Sequence, residues 1–205
     1  MVSKAALVMP LKSFANGKGR LATVLDAAMR ERLSRECADR VVAVAAGLPV
    51  VIVTGNDDSA DVREWAERRS LTCIGQVSPG LNGAVGDGVA WARRNGFDIA
   101  VVAHSDVPLA TDVSSFIDDG NVVIVPDTTH DGTNLLVLPT AAEFTFHYGP
   151  GSFKQHVDEA MRRGFAPRVV VSDEWSCDLD TPDDLNDPRI REAFPWLPTN
   201  PVNRH

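Results

Sequence analysis

A chain of 205 residues, 44% hydrophobic and 23% charged, is long enough for one sizeable core and excludes the disordered and fibrous classes. Its formal net charge of −8 argues against a nucleic-acid or membrane-surface partner. No apolar run approaches the roughly 20 residues that span a bilayer, and residues 5–9 are too short for a signal-peptide core, so a cytoplasmic location is expected.

Short β-branched runs alternate with amphipathic segments, the pattern of βα units on a mostly parallel sheet, and one domain is expected over residues 1–205. Ala5–Met9 reads as a buried strand, followed by a Gly- and Lys-rich loop from Pro10 to Arg20. Residues 27–46 carry Leu33, Cys37, Val41 and Ala45 at fourfold spacing, a helical stripe ended by Gly47. Val50–Thr54 is a second strand, with a turn at Gly55-Asn56; Ser59 or Asp61 caps a helix to about Arg69, and Leu71–Ile74 is a third strand. Gly80-Leu81-Asn82-Gly83 and a helix to about Asn95 come next, then an apolar strand, Ile99–Ala103. A helix over 111–118, strands over 122–125 and 135–138, a helix over 152–163 and a strand over 169–171 complete the series. Thr181-Pro182-Asp183-Asp184 predicts a helix start, with threonine as cap and proline at the first helical position. The Pro-rich tail 194–205 is expected to be irregular.

The three cysteines, Cys37, Cys73 and Cys177, lack paired spacing and suit neither a disulfide framework nor a zinc site. Charge is polarised: residues 1–25 hold Lys4, Lys12, Lys18 and Arg20 without an acid, whereas 172–187 hold seven acids without a base. Such poles suit a site for a polyphosphate and its metal, or simply two solvated surfaces.

Four stretches carry candidate chemistry. Gly17-Lys18-Gly19-Arg20 lacks the leading glycine and the Ser/Thr of a P-loop. As a basic loop after the first strand it still lies where open α/β sheets bind ligands, and Lys12, Lys18 and Arg20 suit a triphosphate. Asp106 ends an otherwise apolar strand, a costly place for a carboxylate unless it is solvated, paired or on a metal; His104 reads as its support. In Asp178-Leu179-Asp180 the two carboxylates project to one side of an extended segment and suit magnesium, although Asp180 also suits support of the following turn. Gly149-Pro150-Gly151-Ser152 opens a helix as an anion pocket or as a plain loop and cap, and Asp131-Gly132-Thr133-Asn134 offers it a hydroxyl and an amide.

In order along residues 7–185, VMPLKSFANGKGRLA, GLNGAVGDG, HSDVPL, DGTNLLVL, FTFHYGPGSFKQHVDEA and DLDTPDDL resemble the CofC/FbiD family of guanylyltransferases of coenzyme F420 biosynthesis. The resemblance implies a Rossmann-like nucleotidyltransferase fold of the GT-A/MobA kind, a three-layer α/β sandwich on a mostly parallel mixed sheet. It implies GTP as donor, phosphoenolpyruvate or 2-phospho-L-lactate as acceptor, and Mg2+ as cofactor. The Ala-, Arg-, Val- and Asp-rich composition favours phosphoenolpyruvate by association alone. Carried onto this chain, Thr133, Gly149 and Ser152 hold the acid; Asp106 and Asp178, with Asp180, hold the metal; Lys12, Lys18 and Arg20 face the triphosphate; and Gly80, Leu81 and Asn82 lie near the ribose or base. Asp106, Lys18 and Arg20 form the expected catalytic set, and Tyr148 keeps the aromatic wall that the family builds from Phe. A homodimer and hand-over of a labile product to a downstream transferase of the pathway are compatible with this reading. The rival readings are a molybdopterin- or sugar-phosphate-type nucleotide transferase and a non-catalytic nucleotide-binding module.

Overall fold

The computed structural model describes residues 3–45, 47–55, 59–118 and 120–198. Twelve regular elements appear among them: β1 (Ala5–Pro10), α1 (Ala27–Ala43), β2 (Val50–Thr54), α2 (Ala60–Arg68), β3 (Thr72–Gly75), α3 (Gly80–Arg94), β4 (Ile99–Ala103), β5 (Val123–Pro126), β6 (Thr133–Pro139), α4 (Ser152–Arg162), β7 (Arg168–Val169) and α5 (Pro188–Ala193). The strands form one sheet in the order β3-β2-β1-β4-β6-β5-β7. Strands β1 to β4 run parallel, β6 is antiparallel to both β4 and β5, and β7 is parallel to β5.

Alternate side chains sort the apolar strands into two cores. Leu7, Met9, Ile52 and Val101 pack under α1 and α2 with Trp65 and Trp175. Val8, Val51, Val53, Ala100 and Val102 pack on the other face under α3 and α4. α3 lies so close to the sheet that a Cβ on Gly88 would come within 2.3 Å of a Val8 methyl, so glycine is required there. A third cluster decides the site's geometry: Leu21, Leu25, Leu33 and Cys37 receive Leu179, Leu185, Ile190 and Phe194 from the end of the chain.

Five expectations need correction. Residues 111–118 form only a single 3-10 turn, Val113–Phe116, capped by Asp112. Two apolar side chains three apart, in a Ser-rich stretch, suit one tight turn better than a helix that must first nucleate. Ser59 precedes α2, but its hydroxyl bonds Gly55 O, while Asp61 in the first turn accepts from Phe14 N at 2.8 Å and so ties α2 to the basic loop. Thr181 starts no α-helix, because Asp184 accepts from Asp180 N, Thr181 N and Thr181 Oγ1 and closes a turn instead. The cap-plus-proline start occurs one motif later, at Asp187-Pro188. The tail is not loose at its beginning: Phe194 is fully buried and Trp196 Nε1 donates to Glu36 Oε2 at 2.9 Å. The last strand is shorter than expected, Arg168–Val169 at the sheet edge.

Asn56 and residues 199–205 lie outside the described residues. All three cysteines are free thiols, and burial pushes Cys37 up to about 12 and Cys177 to about 11, which makes both poor nucleophiles. Among the described residues no helix is long and apolar enough to cross a membrane.

Candidate active site

The reversal between β4 and β6 creates the site. Because β6 runs back along β4 with Ala103 opposite Leu135, the start of β6 meets the carboxyl end of β4, and His104 N donates to Asn134 O at 3.1 Å. Asp106 and Thr133 are thereby brought to one end of the strands, in the middle of the sheet. Both line a cleft of about 490 Å³, together with Asp178, Asp180, Gly149 and Ser152.

One apolar residue assembles the acidic side. The Leu179 side chain is fully buried in the third cluster, its N–H donates to Asp106 O at 3.0 Å, and its carbonyl accepts from Lys18 Nζ at 2.6 Å. With Leu179 turned inward, the alternation of an extended segment turns Asp178 and Asp180 outward into the cleft. Lys18 reaches this position from a left-handed backbone at φ 53°, an uncommon conformation for a lysine, and the fold holds it there. Arg20 Nη1 lies 3.6 Å from Asp180 Oδ2, a largely exposed pair.

Three carboxylates close together perturb one another. Burial pushes Asp178 up to about 6, and the Asp106 charge adds to the rise. Burial and Asp106 also raise Asp180. Burial acts on Asp106 in the same sense, but the Lys18 ammonium, His104, a backbone N–H and the Asp180 carboxyl outweigh it, and Asp106 is lowered. The charge of Asp106 is thus favoured, while that of its two neighbours is disfavoured. Among the described residues Asp106 Oδ1, His104 Nε2 and Tyr148 Oη are buried without a hydrogen-bond partner, which is unusual for polar atoms at a cleft wall unless a ligand completes them.

The opposite wall has its backbone fastened by side chains, although Tyr148 Oη and His147 Nε2 on it have no hydrogen-bond partner among the described residues. The segment between β6 and α4 is held at three successive places by side chains from two helices. Glu159 accepts from Thr145 N at 3.1 Å, His156 Nε2 from His147 N at 3.0 Å, and Asn82 Oδ1 from Tyr148 N at 2.6 Å while Asn82 Nδ2 donates to Tyr148 O. Arg162 and Arg163 clamp Glu159 at 2.7 and 2.8 Å. Gly151, at φ 71°, then turns the chain into α4 and delivers Ser152, 2% exposed, to the cleft.

Arg20, Leu81, Asp106, Asp178 and Asp180 thus share a cleft with Thr133, Gly149 and Ser152, and Lys18 adjoins it through Asp106 and Asp180. Lys12 is exposed and does not line this cleft; its carbonyl accepts from Thr54 Oγ1. Gly80 and Asn82 do not line it either, and the Asn82 amide holds the Tyr148 backbone through Nδ2 and Oδ1. Asp180 does not support the following turn, since Asp184 does that. The helix start at Ser152 has fewer open donors than expected: Ser152 N goes to Gly149 O and Phe153 N to Asp131 O. Sequence reasoning passed over Asp127, which lines the cleft and closes the β5–β6 turn by accepting from Thr129 Oγ1, Asp131 N and Gly132 N. The available signal was an Asp just after a strand and a few residues before a Gly, the usual Asx-turn chemistry. Among the described residues no three His, Cys, Asp or Glu side chains form a ready metal cage by themselves.

Comparison with known proteins gives a consistent picture. Residues 5–190 match the family model described as guanylyl transferase CofC like. A phosphoenolpyruvate guanylyltransferase of Rubrobacter xylanophilus is 34% identical, over 87% of this chain and 90% of that one. A 2-phospho-L-lactate guanylyltransferase of Methanothermobacter thermautotrophicus is 31% identical, over 90% of this chain and 83% of that one. In fold, a crystal structure from Desulfovibrio desulfuricans G20, named as a nucleotide-diphospho-sugar transferase, superposes with a TM-score of 0.76 at 16% identity, covering 93% of this chain and 91% of that one.

Proposed function

The chain belongs to the CofC-like guanylyl transferase family, and from that premise we propose that it transfers the GMP moiety of GTP to a phosphorylated three-carbon acid, phosphoenolpyruvate or 2-phospho-L-lactate, with release of pyrophosphate, in coenzyme F420 biosynthesis. The observation that carries this reading is the two-sided cleft: a carboxylate wall backed by Lys18 and Arg20 faces a wall of hydroxyls and glycine backbone. A triphosphate needs the first and a small acid the second.

Asp106 and Asp178, with Asp180, are the residues that would hold magnesium. The fit rests on their chemistry: all donors are oxygens, the buried Asp106 Oδ1 has no hydrogen-bond partner among the described residues, and the carboxylates resist sharing one space without a cation. The lack of a complete protein cage suits an ion that takes one or two carboxylates and finds its remaining ligands on substrate phosphates and water. Bound there, magnesium would supply charge neutralisation to the phosphates.

The chain's own residues would do the rest by positioning. Lys18, fixed through Leu179, and Arg20 would neutralise the leaving pyrophosphate. Thr133 and Ser152 would hold the acid so that its phosphate oxygen attacks the α-phosphorus in line. A phosphate monoester with a second pKa near 6 is mostly dianionic at neutral pH, so the nucleophile needs no general base. Leu81, which lines the cleft, would meet the nucleoside. Asn82 would act one step removed, by holding Tyr148.

The test is incubation with GTP and, separately, phosphoenolpyruvate, 2-phospho-L-lactate and 3-phosphoglycerate, reading pyrophosphate and product mass. One of the first two acids should give a GMP-linked product with stoichiometric pyrophosphate. Pyrophosphate release that ignores the acid, or no release with any of the three, would refute the reading.

A further inference from the structure

We propose that His156 is a positioning residue whose neutral imidazole donates from Nδ1 to Thr133 Oγ1, leaving the threonine hydroxyl proton for the acid in the cleft. The inference rests on the reading of Thr133 as a contact of the acceptor.

Its logic begins at a backbone amide. His147 N–H donates to His156 Nε2 at 3.0 Å, and an amide N–H has no lone pair to offer in return. Nε2 must therefore be unprotonated, and the ring proton sits on Nδ1. That nitrogen lies 3.0 Å from Thr133 Oγ1, so the hydroxyl oxygen accepts. Among the described residues no protein group accepts the hydroxyl's own hydrogen. Thr133 is 2% exposed and lines the cleft, and a carboxylate or phosphate is purely an acceptor. The relay thus converts an ambivalent hydroxyl into a committed donor. His156 is fully buried between the rings of Phe144 and Tyr148. Burial, helped by the nearby His147 and His104 and opposed by Glu159, depresses it to about 4, so the neutral ring persists at working pH.

Two substitutions separate the relay from simple support. In His156→Asn the amide nitrogen takes the place of Nδ1 and can still donate to Thr133. In His156→Gln the amide reaches the place of Nε2, where its oxygen still accepts from His147 N–H but nothing donates to Thr133. His156→Gln should raise the acceptor KM about tenfold with the GTP KM unchanged, the worth of about one hydrogen bond, and His156→Asn should restore it to within about threefold. Thr133→Val should cost about tenfold in acceptor kcat/KM in the native background and under about threefold in His156→Gln. Nitrogen-15 NMR of the resting protein should find the His156 proton on Nδ1. A proton on Nε2, equal changes in both KM values, or additive Thr133 and His156 effects would overturn the proposal. If no acid is guanylylated at all, the reading of the cleft fails, whereas the tautomer is decided by the NMR spectrum alone.

Discussion

The two walls of the cleft are held by opposite means. On one, Asp106, Asp178 and Asp180 crowd together, burial and mutual repulsion push two of them toward protonation, and a buried oxygen of Asp106 has no hydrogen-bond partner among the described residues. On the other, Asn82, His156 and Glu159 satisfy three backbone N–H groups in the segment that leads to Ser152. The first wall is under electrostatic tension that a ligand relieves; the second has its backbone already fastened and carries no such crowding of charge. A charged ligand site of this kind sacrifices stability where charge must be met and recovers it where shape must be kept. Substitutions on the two walls should then separate activity from stability.

The largest effect is expected at Asp106. Asp106→Ala should lower kcat by about 10²–10³, the usual loss of a principal charge-stabilising contact, with the circular dichroism spectrum unchanged. Near-normal turnover would remove the carboxylate wall from the chemistry. Leu179→Ala should break the same wall from behind. A fully buried leucine truncated to alanine costs about 2–5 kcal/mol, and here it also unseats the residue that joins Asp106 to Lys18. Denaturant unfolding should register the stability loss, and turnover of the folded fraction should fall as well. A variant that loses stability while keeping full turnover would show that Leu179 packs without positioning.

How much of this could be read from the chain depends on how far each feature reaches. Val50–Thr54 and Ile99–Ala103 matched the observed strands end to end, because an apolar β-branched run bounded by polar turns is a local signal. Asp178-Leu179-Asp180 disclosed its alternation for the same reason. What Leu179 does for Lys18, 161 positions away, was not visible, since that contact exists only once the end of the chain packs on α1. The contacts of Asn82 were hidden for the same reason: only the fold shows that its amide holds the Tyr148 backbone, 66 positions away. The failed helix at 111–118 is different: in a short, Ser-rich segment a single 3-10 turn over Val113–Phe116 forms where a longer helix does not nucleate.

A smaller effect tests the fastened wall. Glu159 is 4% exposed, and although burial opposes it, the Arg163 and Arg162 guanidiniums and Thr145 N–H lower it from 4.5 to about 2. A depressed carboxylate adds stability that is present above its unfolded value and disappears as pH falls through its folded value. With the arginines partly exposed, that contribution is about 1–2 kcal/mol. Glu159→Gln should be less stable by that amount near pH 7, and the gap should close between pH 5 and 2 in unfolding experiments run across that range. A gap independent of pH would mean that packing, not charge, fastens this segment.

The smallest expected change has the opposite sign and so bears most directly on the contrast. Replacing Asp178 by Asn removes a carboxylate that burial and the Asp106 and Asp180 charges disfavour, and that a backbone hydrogen bond only partly compensates. In metal-free buffer near pH 7.5 Asp178→Asn should be as stable as the native chain or more stable by up to about 1 kcal/mol, although its guanylyl transfer falls steeply. Magnesium should then narrow or reverse the difference, because only the native chain has the extra carboxylate to engage the ion. A clear loss of thermal stability in the metal-free variant would show that Asp178 is a structural anchor and that the carboxylate wall, like the wall opposite, was already fastened.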